Sequence, residues 1–309
     1  MENYTIEKVN IDMHNEDVYT IRKKGRFEVY NYNHEFINES KVIKTNSCIL
    51  HNGSIYYWNW GTRIINQWDY INDKYYKFKF TNFMKPNIES LTFLKDEMVI
   101  YYIYLEVISS EESILHGILV YIKDKQIVRE EKVTNENDKE WSKKIISYGD
   151  DLYLLDNQWE NENIYFIFSI WENGSRKQLQ KVPCYSQNFY QISDDGKYSL
   201  LPNVDDCKHG ELHIYDFHTL EEIDCIKFWQ EGFYRIIAYF MEYDKNDYIV
   251  FEANPSPDTD EIWHTHIYSI KDKKIIKSFD YRIIIESVKG RNLLIIQTPR
   301  KRKTIFHSY

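Results

Sequence analysis

Residues 212–228 read LHIYDFHTLEEIDCIKF, and this stretch decides the fold. The apolar run LHIY leads into the polar segment DFHTLEE, and a second amphipathic run, IDCIKF, follows it. Two short runs rich in aromatic and β-branched residues, joined by a polar turn, indicate an antiparallel hairpin. Apolar residues spaced as on a helix face are scarce elsewhere in the chain, so the sequence predicts an all-β protein.

The same pattern recurs along the whole chain. EVYNYNHEFINESKV, NQWDYINDKYYKFKF and ILVYIKDKQIVREEKV each contain an apolar strand, a turn and an amphipathic strand. Alignment of all such stretches gives one equivalent residue ahead of each turn, at Tyr30, Trp68, Val120, Phe168, Tyr215, Tyr268 and Phe306. Their mean spacing is about 46 residues, and a repeat of about 40–50 residues with four strands per unit is typical of propeller blades.

Seven equivalent positions predict a seven-bladed β-propeller that forms a single domain over residues 1–309. The fifth unit, SDDGKYSLLPN followed by GELHIYDFHTLEEI, resembles the WD40 family, whose repeats have a DG turn and then a strand that ends in an aromatic residue and Asp. Here that pair is Tyr215-Asp216, and the WD pair itself occurs at Trp68-Asp69. The Gly-His element of that family is missing, so the prediction is a WD40-like propeller. Two separate β-sandwich domains would need a linker rich in Pro, Gly or Ser, and the sequence has none.

The two chain ends suggest how such a ring would close. The last unit has only three predicted strands, and the opening stretch NYTIEKVNI has strand character with no earlier strand to pair with. If the N-terminal strand joins the C-terminal blade, which contains TIFHSY, two unpaired strand edges are removed. The sequence therefore predicts a ring closed across both ends of the chain.

Composition excludes several classes of protein. The formal net charge of −9 disfavours general nucleic-acid binding, which depends on Lys and Arg contacts to phosphate. The N-terminus shows no secretion-signal pattern, and the longest apolar run, MVIYYIYLEVI, is shorter than the ~20 residues of a membrane span. These features predict a soluble, cytoplasmic protein. Because no two of the four cysteines form a CxxC pair, they are expected to be reduced and buried.

The usual catalytic signatures are missing from the sequence. It contains no GxGxxG, GxxxxGK[ST], HExxH or GxSxG motif, so no catalytic residue and no cofactor is assigned. His264 and His266 lie two residues apart on a predicted strand and share one face, which makes them metal-ligand candidates, although a site needs three or four ligands. Cys207, His209 and His213 form a similar group, and a structural role is the simpler interpretation of both.

Two tryptophans are candidates for ligand stacking. Trp159 and Trp229 fall in predicted loops, where an aromatic ring can stack on a sugar, a peptide or a base. Aromatic residues on propeller strands, such as Trp58, are expected to pack between blades instead.

Charge is segregated among the loops that join the second and third strand of each unit, which the resemblance places together on one face of the ring. The loops of the seventh, first and second units form a predicted basic arc of Arg22, Lys23, Lys24, Arg26, Arg63, Arg300, Lys301, Arg302 and Lys303. The loops of the third to sixth units form a predicted acidic arc of Glu111, Glu112, Glu160, Glu162, Asp205, Asp206, Asp258, Asp260 and Glu261. Opposed arcs would orient a charged partner and raise its association rate.

The sequence thus favours a non-catalytic, cytoplasmic propeller that binds another protein through a charged loop face. The arcs also permit a two-fold self-association in which the basic arc of one copy meets the acidic arc of another. Two alternatives stay open, an enzyme or small-ligand binder that uses the central channel, and a carbohydrate binder that uses the loop tryptophans.

Overall fold

A computed structural model defines the fold. It describes residues 6–11, 18–23, 25–31, 35–45, 47–59, 64–79, 87–107, 109, 113–133, 141–160, 163–183, 190–193, 195–205, 209–227, 235–243, 246–254, 264–280, 284–288, 293–298 and 303–308. The chain divides into two compact units, Ile6–Val182 and Pro183–Tyr309. In each unit the strands form antiparallel sheets in which every strand pairs with its neighbours along the chain.

The unit Ile6–Val182 contains four sheets of four strands each. Sheet 1 has β1 (Ile6–Ile11), β2 (Val18–Lys23), β3 (Arg26–Asn31) and β4 (Phe36–Glu39). Sheet 2 has β5 (Ser47–His51), β6 (Ser54–Trp58), β7 (Ile64–Asp69) and β8 (Lys74–Lys79). Sheet 3 has β9 (Asn87–Leu94), β10 (Glu97–Val107), β11 (Ser113–Lys123) and β12 (Gln126–Lys132). Sheet 4 has β13 (Trp141–Tyr148), β14 (Asp151–Glu160), β15 (Asn163–Glu172) and β16 (Ser175–Pro183).

The unit Pro183–Tyr309 contains three further sheets among its described residues. Sheet 5 has β17 (Gln191–Ile192), β18 (Tyr198–Asp205), β19 (His209–Asp216) and β20 (Glu222–Lys227). Sheet 6 has β21 (Arg235–Tyr243), β22 (Asn246–Asn254), β23 (His264–Ser269) and β24 (Lys274–Phe279). Sheet 7 has β25 (Ile284–Val288), β26 (Leu293–Thr298) and β27 (Lys303–Ser308).

Within each unit, consecutive sheets stack with their first strands side by side. β5 contacts both β1 and β9, β9 contacts β13, and β21 contacts both β17 and β25. Side chains connect these first strands in place of a backbone ladder. The Ser90 hydroxyl accepts a hydrogen bond from the Ile145 amide at 2.9 Å, and the Gln191 amide group bonds to backbone atoms of Ala238 and Phe240. The fourth strands, such as β12 and β24, are mostly exposed.

The apolar core of each unit lies between consecutive sheets. In the first unit, one cluster includes Trp68 and Phe27 of sheets 2 and 1, and another includes Trp58 of sheet 2 and Ile100 of sheet 3. In the second unit, Phe251 of sheet 6 packs with residues of sheet 5. Trp58 is buried, as predicted from its strand position. Within the described residues, no helix has the length and apolar character that a membrane crossing requires.

The repeat predicted from the sequence has the correct register. Each of the seven equivalent residues lies in the third strand of its sheet: Tyr30 in β3, Trp68 in β7, Val120 in β11, Phe168 in β15, Tyr215 in β19, Tyr268 in β23 and Phe306 in β27. The turns also have the expected chemistry. Asn52-Gly53 and Asn173-Gly174 both have positive φ at the two turn positions, which is the geometry that Asn-Gly favours in two-residue hairpins.

For the described residues 6–11, the N-terminal strand does not pair as predicted, and closure of the ring is not confirmed. β1 pairs with β2 as the first strand of sheet 1, with Val9 opposite Ile21, and it does not join the C-terminal sheet. Sheet 7 has three strands among the described residues. Because β2 offers an unpaired edge only a short loop away, pairing with it costs less loop-closure entropy than pairing with the far end of the chain.

Candidate functional site

The connection between the second and third strand of each sheet carries the charged residues identified in the sequence. RKKGR joins β2 to β3, WGTR lies between β6 and β7, and RKRK precedes and begins β27. The acidic stretches likewise lie between β10 and β11, β14 and β15, β18 and β19, and β22 and β23. Each predicted loop therefore occupies the same position in the topology of its sheet.

The structure describes part of both predicted arcs. Arg22 and Lys23 end β2, Arg26 begins β3, Lys303 begins β27, Glu160 ends β14 and Asp205 ends β18. The other members lie outside the described residues: Lys24, Arg63, Arg300, Lys301, Arg302, Glu111, Glu112, Glu162, Asp206, Asp258, Asp260 and Glu261.

Two of the basic side chains at these strand ends, Arg22 and Arg26, are held by contacts within the protein. Arg22 donates to the Ile43 carbonyl at 3.3 Å, and its guanidinium lies over the Phe27 ring. Arg26 pairs with Glu39 at 3.1 Å while its side chain remains 48% exposed. Exposed ion pairs of this kind contribute little to stability, so the pair between Arg26 and Glu39 can be broken at small cost.

Glu160 is held in a comparable way at the end of β14. Its carboxylate pairs with Lys181, whose ammonium also lies over the Tyr165 ring at 4.7 Å from the centroid. Arg22, Arg26 and Glu160 therefore each have a position defined by contacts within the protein.

The structure describes one of the two candidate tryptophans, and it lies on a strand. Trp159 lies in β14, opposite Ile164 of β15, so the loop prediction for this residue is wrong. The strand extends further than the polar residues of NQWENEN suggested, because the β14 and β15 ladder continues to the pair Glu160 and Asn163. Trp229 lies outside the described residues.

His266 has the contacts of a core residue. Its side chain is buried in β23, its ring stacks on Phe251 with centroids 4.8 Å apart, and its Nδ1 lies 2.9 Å from the Ser278 hydroxyl. Burial, followed by the proximity of His264, lowers the pKa of His266 to about 4. The His264 ring is half-buried, and its centroid is 6.3 Å from that of His266. The metal prediction for this pair has no third ligand among the described side chains.

A different cluster of metal-binding side chains lies on the β19–β20 hairpin. Glu211, His213 and Cys225 each offer a ligand atom, and these atoms all lie within 4.8 Å of one another. His213 is directly opposite Cys225 in the strand register, and Glu211 is two residues before His213 on the same face of β19. Within the described part of the chain, no other group of three such residues comes this close together.

Glu222 fixes the orientation of His213. Its Oε2 lies 2.7 Å from His213 Nδ1, and Glu211 Oε2 lies 3.5 Å from Nε2 on the other side of the ring. A carboxylate can only accept a hydrogen bond, so Nδ1 is the ring atom that donates to Glu222, and Nε2 is the ring atom that faces Glu211. Burial, and then the negative charges of Glu211 and Glu222, raise the pKa of the Cys225 thiol to about 11.

Only His213 of this cluster is a metal-ligand candidate by sequence. Its neighbours in the sequence, Cys207 and His209, are not part of the cluster: Cys207 lies outside the described residues, and His209 is described only by its backbone in β19. Cys225 is the cross-strand neighbour of His213, and the hairpin register of LHIYDFHTLEEIDCIKF is the signal that would have paired them.

Comparison with known proteins supports the fold. No protein family model and no curated protein sequence matches the chain. Several solved structures are similar to the chain. The dihydro-heme d1 dehydrogenase NirN in complex with DHE has a TM-score of 0.56 and 10% sequence identity, and the match covers 97% of this chain and 65% of that chain. The Dos1 propeller has a TM-score of 0.51 and 10% identity, over 95% and 75%.

A third similar structure is the β-propeller domain of the Trilobed protease from Pyrococcus furiosus, which is described as having an open velcro topology. Its TM-score is 0.53 at 12% identity, over 98% of this chain and 92% of that domain. At such low identity the likeness shows the fold alone. Together with the antiparallel four-stranded sheets, it shows that the chain has a β-propeller fold.

Proposed function

We propose that this chain is a non-catalytic, WD40-like propeller of seven blades, one for each sheet, that binds another protein through the connections between the second and third strands. One observation carries the proposal: every charged stretch of the two arcs occupies this same topological position. If the seven sheets surround one axis, these connections share one face, and charge of one sign gathers on each side of it.

The sign of the charge changes only twice around the proposed ring. The connections of sheets 7, 1 and 2 are basic, and those of sheets 3 to 6 are acidic. A partner that is also charged on both sides would be oriented before contact, which raises the association rate and makes it depend on salt. A second copy of the chain meets this description, so two-fold self-association is part of the proposal. A nucleic acid would be repelled by the acidic side and by the net charge of −9.

The purified chain serves as bait in cytoplasmic extract at two salt concentrations. At about 0.05 M the attraction between charged surfaces is weakly screened, and at about 0.5 M it is strongly screened. The test variant replaces Arg300, Lys301, Arg302 and Lys303 with Glu. We expect a partner that is retained at low salt by the wild type and lost by this variant, while the urea unfolding curve is unchanged.

A matched control reverses the same number of charges at the opposite edges of the sheets. Lys123, Lys177, Lys271 and Lys274 are exposed and lie at or beside the turns that join third to fourth strands. Their replacement by Glu changes the net charge equally, so we expect it to leave partner retention intact. Equal retention by both variants would contradict the proposal, and sedimentation of the purified proteins shows separately whether the partner is a second copy.

A further inference from the structure

We propose that Glu211, His213 and Cys225 bind a zinc ion on the face of sheet 5 that points away from sheet 6. The opposite face of β19 packs into the core through Leu212 and Ile214, which belong to the apolar cluster shared with sheet 6. Strand alternation therefore places Glu211, His213 and Cys225 together on the other face. This inference is independent of the proposed function, because it concerns the hairpin strands and no residue of either arc.

The three side chains are placed so that one cation can contact all of them. With Glu222 beside Nδ1, His213 Nε2 lies 3.5 Å from the Glu211 carboxylate, and Cys225 completes a set of ligand atoms within 4.8 Å of one another. A metal ion between them would be bound by nitrogen, oxygen and sulfur together. The contact between Glu222 and the other imidazole nitrogen matches the carboxylate that commonly orients a metal-binding histidine from outside the coordination sphere.

The donor set selects zinc among common metals. Sulfur, imidazole nitrogen and carboxylate oxygen together suit Zn²⁺, whereas Mg²⁺ and Ca²⁺ prefer oxygen ligands alone. Bond lengths of about 2.0–2.3 Å to zinc place tetrahedral ligand atoms roughly 3.3–3.8 Å apart. The Glu211 and His213 atoms are already at 3.5 Å, and the whole set lies within 4.8 Å, so small side-chain rotations complete the geometry.

Three protein ligands leave one position of a tetrahedral zinc ion open. Glu211, His213 and Cys225 are each half-buried, so water can reach the fourth position. Closed structural zinc sites use four protein ligands, whereas three ligands and a water are typical of sites where zinc acts on a bound molecule. The inferred ion is therefore accessible to an exchangeable ligand.

The experiment adds Zn²⁺ alone to the full chain after treatment with chelator and measures stoichiometry and affinity by calorimetry at pH 7.5. We expect one zinc per chain from this site. Glu222→Gln should weaken binding by about 10- to 100-fold, as is usual for a residue that orients a ligand, and Cys225→Ser or His213→Gln should weaken it further. Cys48→Ser is the matched control, because Cys48 is also half-buried but lies in sheet 2; we expect it to bind as the wild type does.

Two measurements on the wild-type chain keep the inference testable if a variant fails to fold. Co²⁺ in place of zinc should give a thiolate-to-metal charge-transfer band, and zinc should protect Cys225, but not Cys48, from alkylation mapped by mass spectrometry. Absence of zinc binding, zinc binding without protection of Cys225, or unchanged affinity in folded Cys225→Ser and His213→Gln variants would each overturn the inference.

Discussion

Acidification should destabilise the unit Pro183–Tyr309 through His266. His266 is 6% exposed, and its ring stacks on Phe251 and bonds to the Ser278 hydroxyl. Burial is the main reason why its pKa falls from 6.5 to about 4. In the unfolded chain the same ring takes up a proton near pH 6.5. The folded state binds that proton less tightly than the unfolded state. The stability that neutral His266 contributes is therefore fully present above pH 6.5 and is lost as the pH falls towards 4.

The expected size follows from the two pKa values. Lowering the pKa of His266 from 6.5 to about 4 corresponds to a loss of about 3 kcal/mol in the free energy of unfolding once both the folded and unfolded states are protonated. About 2 kcal/mol of this loss occurs between pH 7.5 and pH 5. The assay is urea unfolding of the full chain at these two pH values. His266→Asn keeps a polar atom near Ser278 but does not titrate, so its stability should change with pH by about 2 kcal/mol less than that of the wild type.

His264→Asn provides the matched control. His264 is half-buried, lies on the same face of β23, and contributes only the secondary cause of the pKa shift, so this variant should retain most of the wild-type pH dependence. Other titrating groups are common to all three proteins and cancel in the comparison. An equal pH dependence in the wild type and His266→Asn, or an NMR titration of His266 near pH 6.5, would refute the reasoning.

Two further predictions test the packing between and within sheets. A Cβ atom at Gly117 would lie 2.4 Å from the Tyr101 hydroxyl and 3.0 Å from its ring. Tyr101 is 1% exposed, so the surrounding core must shift to make room, and Gly117→Ala should lower the free energy of unfolding in urea by about 1–3 kcal/mol. Adding Tyr101→Phe should recover part of that loss, and a fully stable Gly117→Ala protein would contradict the predicted clash. The Tyr268 hydroxyl donates a hydrogen bond to Asp224 at 2.5 Å and so connects sheet 6 to sheet 5. A double-mutant cycle of Tyr268→Phe and Asp224→Ala should give a coupling energy of about 1.5–3 kcal/mol. Strictly additive losses of stability would show that this hydrogen bond contributes nothing.

The strand repeat was predictable because its signals are local. Trp68, Val120 and Phe168 each precede a polar turn by a fixed number of positions, and the hairpin that contains them needs only its own residues to be recognised. The same local signals place the charged stretches between the second and third strands. Sheet order then follows from pairing between chain neighbours, which holds in all the sheets described.

The position of β1 was not predictable on the same grounds. Its alternating residues suit pairing with any unpaired edge, and sequence pattern does not distinguish the edge of β2 from that of the C-terminal sheet. The pairing of Val9 with Ile21 is selected by chain connectivity. Trp159 illustrates a related limit, because polar neighbours suggested a loop where the β14 and β15 ladder continues to Glu160.

The candidate metal ligands show why a site on a β-sheet is hard to find from sequence alone. Residues two apart on one strand share a face, but a residue directly opposite on the next strand is nearer, with Cβ atoms about 4.5–5.5 Å apart. His213 and Cys225 are such a pair, and the turn between them sets their alignment. A single-residue change of register would move Cys225 to the face that packs on sheet 6 and leave His213 with Glu211 and Glu222 alone. The proposed zinc site therefore depends on the β19–β20 turn as much as on its ligands, and a one-residue insertion in the turn should abolish zinc binding while Cys225 itself is unchanged.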